Sequence, residues 1–138
     1  MARIQSHRDL LAWQKAMILG LALYEATRGF PDHERYGLTS QIRRAGVSVP
    51  SNIAEGYGRA STTDYLRFLR MARGSLFEID TQLLFAVRLG YIAETKHREL
   101  SEQCRECGRI LAGLIRSIEK TSDGDEHGPD AQCPLPDA

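Results

Sequence analysis

Cys104 and Cys107 stand three residues apart in the run CRECGRI, the C-x-x-C spacing of zinc sites and thiol–disulfide centres. Zinc needs about four ligands, and a redox pair gains from a helix N-terminus, whose field lowers the thiol pKa. Both cysteines lie instead mid-helix on an apolar stripe, where cysteine packs as a small hydrophobe. Cys133 and His127 would have to fold back from the C-terminal segment to complete a metal set. Glu94 and His97 repeat the E-x-x-H spacing of di-iron bundles, but those centres need two such motifs and two further inward glutamates. The stretch EGYGRAST, Glu55–Thr62, has the glycines of a phosphate cradle. It has no Walker lysine and follows no strand, so it reads as a turn between helices. No Ser/His/Asp set, Cys/His pair or inward carboxylate pair emerges. The expectation is a protein that is not an enzyme, with no cofactor, no metal and no small-molecule substrate.

Arginine is the residue type left to explain. Arg43, Arg44 and Arg59 come from one helix and its exit, and Arg67, Arg70 and Arg73 from the start of the next. Residues 33–73 hold seven arginines against Glu34, Glu55 and Asp64. A guanidinium donates two parallel hydrogen bonds to one phosphate. If the two helices run antiparallel, their joined ends gather these six side chains on one rim as a nucleic-acid-binding surface. The plainer alternative is a solvated face whose arginines serve nearby acids.

The charge balance agrees with a polyanionic partner without requiring one. The 138 residues have net charge zero, yet residues 1–120 hold all 18 basic groups against 13 acidic ones. The remaining five acids fall in residues 121–138, which contain no Lys or Arg. That Pro-, Gly- and Asp-rich tail has almost nothing to bury and is expected to be disordered, leaving residues 1–120 as the folded domain. No apolar run approaches the roughly 20 residues of a membrane span, and the N-terminus has no signal-peptide stretch. A cytoplasmic protein is expected.

Four amphipathic helices must position the arginines. The first is expected from Ser6, which has capping-box spacing to Asp9, to about Arg28. Leu10, Trp13, Met17, Leu21 and Tyr24 share one face, and Gly29 and Pro31 end it. The second starts at Thr39 or Ser40 and buries Ile42, Gly46, Val49 and Ile53. The third is capped by Ser61, buries Leu69, Ala72, Leu76, Ile79, Leu83 and Ala86, and stops at Gly90 after about 27 residues, or roughly 40 Å. The fourth runs from Glu94 to Lys120 with a seam of Leu100, Cys104, Cys107, Leu111, Leu114 and Ile118. Short connections between long helices predict an all-α, up-down-up-down antiparallel four-helix bundle.

Pro50, inside the second helix, removes a backbone donor from the Gly46 carbonyl, so a kink is expected there. Gly46 lets a neighbouring helix come close, and Gly74-Ser75 in the third helix is expected to do the same. Arg43 and Arg44 point about 100° apart, so the two face different surroundings.

Three stretches carry a family resemblance: WQKA at Trp13–Ala16, FPDHERYGLTSQIRRAGVSVPSNIAEGYGR at Phe30–Arg59, and FLRMARGSLFEIDTQL at Phe68–Leu83. Over about residues 7–120 the chain resembles the four-helix-bundle family of 23S ribosomal RNA intervening-sequence proteins. That family includes the accessory variability protein of diversity-generating retroelements. The resemblance implies a homopentamer, a barrel-like homo-oligomeric ring with a basic exterior. It also implies association with RNA or with an RNA-handling partner such as a reverse transcriptase. The alternative is a protein–protein scaffold whose arginines pair with acids of neighbouring subunits or of a partner.

Overall fold

The computed structural model describes residues 3–125, with side chains described as far as Thr121. Among the described residues there are four α-helices and no strand: α1 Leu11–Thr27, α2 Leu38–Tyr57, α3 Thr62–Arg88 and α4 Glu94–Asp125. α2 packs on α1 and α3, and α4 packs on α3 and α1. The four helices therefore close around one core and form a four-helix bundle.

The predicted seams of α3 and α4 are the core. Leu69, Ala72, Ile79, Leu83 and Ala86 of α3 and Leu100, Cys107, Leu111 and Ile118 of α4 are almost fully buried. Ile42, Val49 and Ile53 of α2 join them. Ser61 caps α3 by accepting the Asp64 N–H at 3.1 Å. Gly90 takes a left-handed φ of 79° in the turn after α3, a conformation glycine adopts freely.

α1 departs from expectation. Ser6 and Asp9 do form a reciprocal capping box, but it closes a 3₁₀ turn at His7–Asp9, and the α-helix begins only at Leu11. Its inward face is Ala12, Ala16, Leu19, Leu23 and Thr27. Of the face proposed from sequence, only Leu10 is buried, whereas Leu21 is 66% exposed and Met17 and Tyr24 are also exposed. The physical reason is that LAWQKAMILGLALYEAT is apolar nearly all round, so two stripes satisfy helical periodicity.

α2 is not capped by Thr39 or Ser40. Its N-cap is Gly37, and the orphan N–H of Leu38 is met by Glu34 Oε1 at 3.2 Å. Thr39 Oγ1 is buried with no hydrogen-bond partner. A Cβ at Gly37 would lie 2.6 Å from Glu34 Oε1, so the glycine makes room for the capping carboxylate.

The helix continues through Pro50 to Tyr57. Pro50 leaves the Gly46 carbonyl without its helical donor, and that oxygen faces α1: a Cβ at Gly20 would come within 3.3 Å of it. Gly46 thus admits a neighbouring helix as expected. Of the Gly74-Ser75 pair, Ser75 meets α2, its hydroxyl 2.9 Å from that of Ser48, whereas a Cβ at Gly74 would meet nothing within 4 Å. α2 and α3 also approach closely at Gly56, where a Cβ would lie 2.8 Å from Phe68 Cβ. The tail expected from residue 121 starts inside α4, which continues to Asp125. Residues 126–138, with Cys133 and His127, lie outside the described residues.

Candidate nucleic-acid interface

The turn between α2 and α3 brings two of the six arginines together. Arg59, just after α2, and Arg67, in the second turn of α3, stand 4.8 and 4.6 Å from the centroid of the Phe68 ring. Each also has a carboxylate nearby, Glu55 at 2.9 Å for Arg59 and Asp64 at 3.5 Å for Arg67.

The other four arginines are spread around the bundle rather than gathered on one rim. Arg70 crosses to α4 and meets Glu119 at 3.0 Å. Arg43 folds onto α1, donating to Thr27 Oγ1 at 2.9 Å and lying 4.7 Å from the Tyr24 ring centroid. Arg44 lines a polar cleft between α2 and α3 with Ser48, Ser75 and Glu78, where the two serine hydroxyls share a 2.9 Å hydrogen bond. Arg73 lies on the α4 side of α3. Among the described residues, Arg43, Arg44 and Arg73 have no carboxylate within ion-pair distance.

The ion pairs do not lock the arginines away. Their partners are about half exposed, and pairs of that kind contribute about 0–1 kcal/mol and weaken with salt. A phosphate can compete with them.

Sequence reasoning passed over a second group. A groove of about 560 Å³ runs between α3 and α4, with Leu76, Cys104 and Gly108 among its floor residues and Arg73, Arg105 and Arg109 at its edges. Arg105 and Arg109 share a single carboxylate, Glu102, at 2.6 and 3.5 Å. Phe77 stands at the lip, 68% exposed. The signal was present as two one-turn pairs, Arg73/Phe77 and Arg105/Arg109, on facing helices.

The cysteines of the C-x-x-C are packing residues. Burial pushes the Cys104 thiol up to about 11 and the Cys107 thiol to about 12, the reverse of what a nucleophile or metal ligand needs. Cys104 spends its S–H on the Leu76 carbonyl at 3.4 Å. His97 lies near Ser101 Oγ, 3.3 Å away. Among the described residues no cluster of three His, Cys, Asp or Glu side chains is placed to hold a metal ion. Nor is any helix there long and apolar enough to cross a membrane.

No curated protein sequence matches the chain. It is similar to a crystal structure, at 1.70 Å resolution, of a protein of unknown function from the S23 ribosomal protein family of Bacteroides thetaiotaomicron. The TM-score is 0.72 at 20% identity, covering 77% of this chain and 96% of that one. That likeness speaks for the fold. The family model described as 23S rRNA-intervening sequence protein matches residues 8–113, well over half of the sequence, and the chain belongs to that family.

Proposed function

We propose that the protein is a non-enzymatic assembly block: copies join into a homo-oligomeric ring, and outward arginines associate with RNA or an RNA-handling partner. The observation that carries the reading is the apolar surface one chain leaves uncovered. Leu11, Ile18 and Leu21 on α1, and Phe85 near the end of α3 with Leu89 just after it, are each more than half exposed. Apolar patches of this kind mark association surfaces, and two different patches on one chain suit a head-to-tail contact that closes into a ring. The family resemblance points to five subunits.

Contacts between successive helices run in opposite senses along the chain, which supports the up-down-up-down arrangement. Ser48 meets Ser75 while Gly56 meets Tyr65 and Phe68. Leu76 meets Cys104 while Arg70 meets Glu119. A reducing, cytoplasmic setting suits the two free buried thiols.

One observation favours the alternative of an assembly scaffold without RNA: Arg59, Arg67 and Arg70 already have carboxylates of the same chain. Native mass measurement before and after nuclease treatment separates the two. A particle of about five times the 15.5 kDa chain that retains RNA, and loses it in Arg44→Ala/Arg59→Ala/Arg67→Ala/Arg73→Ala without dissociating, upholds the proposal. Dissociation of that variant favours the scaffold. A monomer under all conditions removes the ring.

A further inference from the structure

We propose that the groove between α3 and α4 seats a nucleoside phosphate, with the base against Phe77 and the phosphate between Arg73 and Arg109. The proposal rests on the polyanion reading above and gives it a specific seat on the opposite side of α3 from the α2 contact.

Four features of the groove argue for a flat anion. Its floor is apolar, made by Leu76, Cys104 and Gly108. Gly108 keeps it open, since a Cβ there would have only Leu76 Cδ1 nearby, at 3.9 Å. Phe77 offers an exposed ring at the lip, and base–aromatic stacking accepts any base because every base has a π-face. The guanidiniums are in surplus: Arg73 has no carboxylate within ion-pair distance among the described residues, and Arg105 and Arg109 divide one between them.

The fourth feature is order along the groove. Leu76 lies against Cys104 and Gly108 while Arg70 reaches Glu119. Arg73 therefore falls toward Arg109, and Asp80 toward Arg105. The positive end without an inward carboxylate takes the phosphate. Asp80, which repels phosphate from the other end, is an acceptor for base N–H groups. An apolar ligand would leave the arginines idle, and inorganic phosphate would leave Phe77 and the floor unused.

Nucleoside phosphate chemistry comes either from a free nucleotide or from one residue of a single strand, and the experiment separates these. The full chain is titrated into a labelled ten-nucleotide single-stranded RNA, with adenosine monophosphate as competitor. Phe77→Ala removes the stacking ring, and Gly108→Leu fills the floor while leaving every charge in place. Each is expected to weaken binding about tenfold, the scale of one lost stack, without lowering the melting temperature. Competition by the mononucleotide that is lost in Gly108→Leu assigns the seat to free nucleotide. Strand binding without such competition, weakened in both variants, assigns it to single-stranded RNA. Phe77 is a surface residue, so its variant keeps the test valid if Gly108→Leu does not fold. Binding within twofold of wild type in Phe77→Ala overturns the groove, and a loss confined to Arg59→Gln/Arg67→Gln then leaves the arginine reading standing. No binding by the wild-type chain overturns both.

Discussion

The Tyr91 hydroxyl donates to the Glu34 carboxylate across 2.7 Å, tying the turn between α3 and α4 to the start of α2. The other Glu34 oxygen caps Leu38, and Phe30 packs 5.3 Å from Tyr91, centroid to centroid. Three separate segments thus meet at one carboxylate. The Tyr91 bond and then the Leu38 N–H hold Glu34 below the usual carboxylate range. The same bond, with lesser help from burial and the carboxylate's charge, pushes Tyr91 up.

The pH dependence follows from those directions. A carboxyl lowered by folding contributes stability above its unfolded pKa of about 4.3 and loses it as pH falls through the folded value. A phenol raised by folding contributes below about 10 and loses it as pH rises through its folded value. Tyr91→Phe should therefore melt below wild type at neutral pH, with the gap narrowing both in acid and in strong alkali. A gap in melting temperature that ignores pH would show that the pair does not act through charge.

Two glycines should respond to alanine with opposite signs. At Gly56 the new Cβ lies 2.8 Å from Phe68 Cβ and 3.2 Å from the Tyr65 carbonyl oxygen. Neither atom is the tip of a flexible side chain, so Gly56→Ala should cost about 1–3 kcal/mol. At Gly74 nothing lies within 4 Å, and Gly74→Ala should gain up to about 1 kcal/mol of helix propensity. Chemical denaturation of both variants checks the contrast.

The orientation of α1 is open to an equally direct comparison. Leu23 is fully buried and Leu21 is 66% exposed. Leu23→Ala should cost about 2–5 kcal/mol, and Leu21→Ala should change the stability of an isolated chain by about 0.5 kcal/mol or less. Equal losses at both sites, measured at a concentration where the chain is monomeric, would contradict the described packing of α1.

Removing acids should sharpen the arginine surface. Glu119→Gln frees Arg70, and Asp64→Asn frees Arg67. If phosphates compete for these guanidiniums, both variants bind single-stranded RNA more tightly, with a steeper salt dependence. Unchanged affinity and slope in a filter-binding titration would place Arg67 and Arg70 outside the contact.

The buried thiols supply a folding probe. With Cys104 and Cys107 raised to about 11 and about 12, a Cys133→Ser protein should label at pH 8 only as fast as it unfolds. Labelling at the rate of a free thiol would mean that α4 opens locally.

The helices were legible because α3 and α4 each carry one apolar stripe broken by charge. Leu69 to Ala86 and Leu100 to Ile118 allow only one inward face. The inward face of α1 is not legible in the same way, because apolar residues surround the helix and periodicity cannot choose between Leu21 and Leu23. The α2 cap is hidden from local sequence for a different reason. Thr39 and Ser40 have the right side chains, but Glu34 reaches the first turn from outside the helix, and Tyr91, which steadies it, lies 57 residues away. The scatter of the arginines had the same origin. Local spacing places Arg59 near Arg67, but only tertiary contacts send Arg43 to Tyr24 and Arg70 to Glu119.

The Glu34 cap changes what likeness in the Phe30–Arg59 block can convey. Its distinctive positions are occupied in joinery: Phe30 and Glu34 peg the corner, Gly37 clears space for the peg, Gly46 seats one helix and Gly56 the next. Two chains alike there share a carpentry of corners. Whatever each one holds is inscribed on the outer flanks, where such likeness is silent.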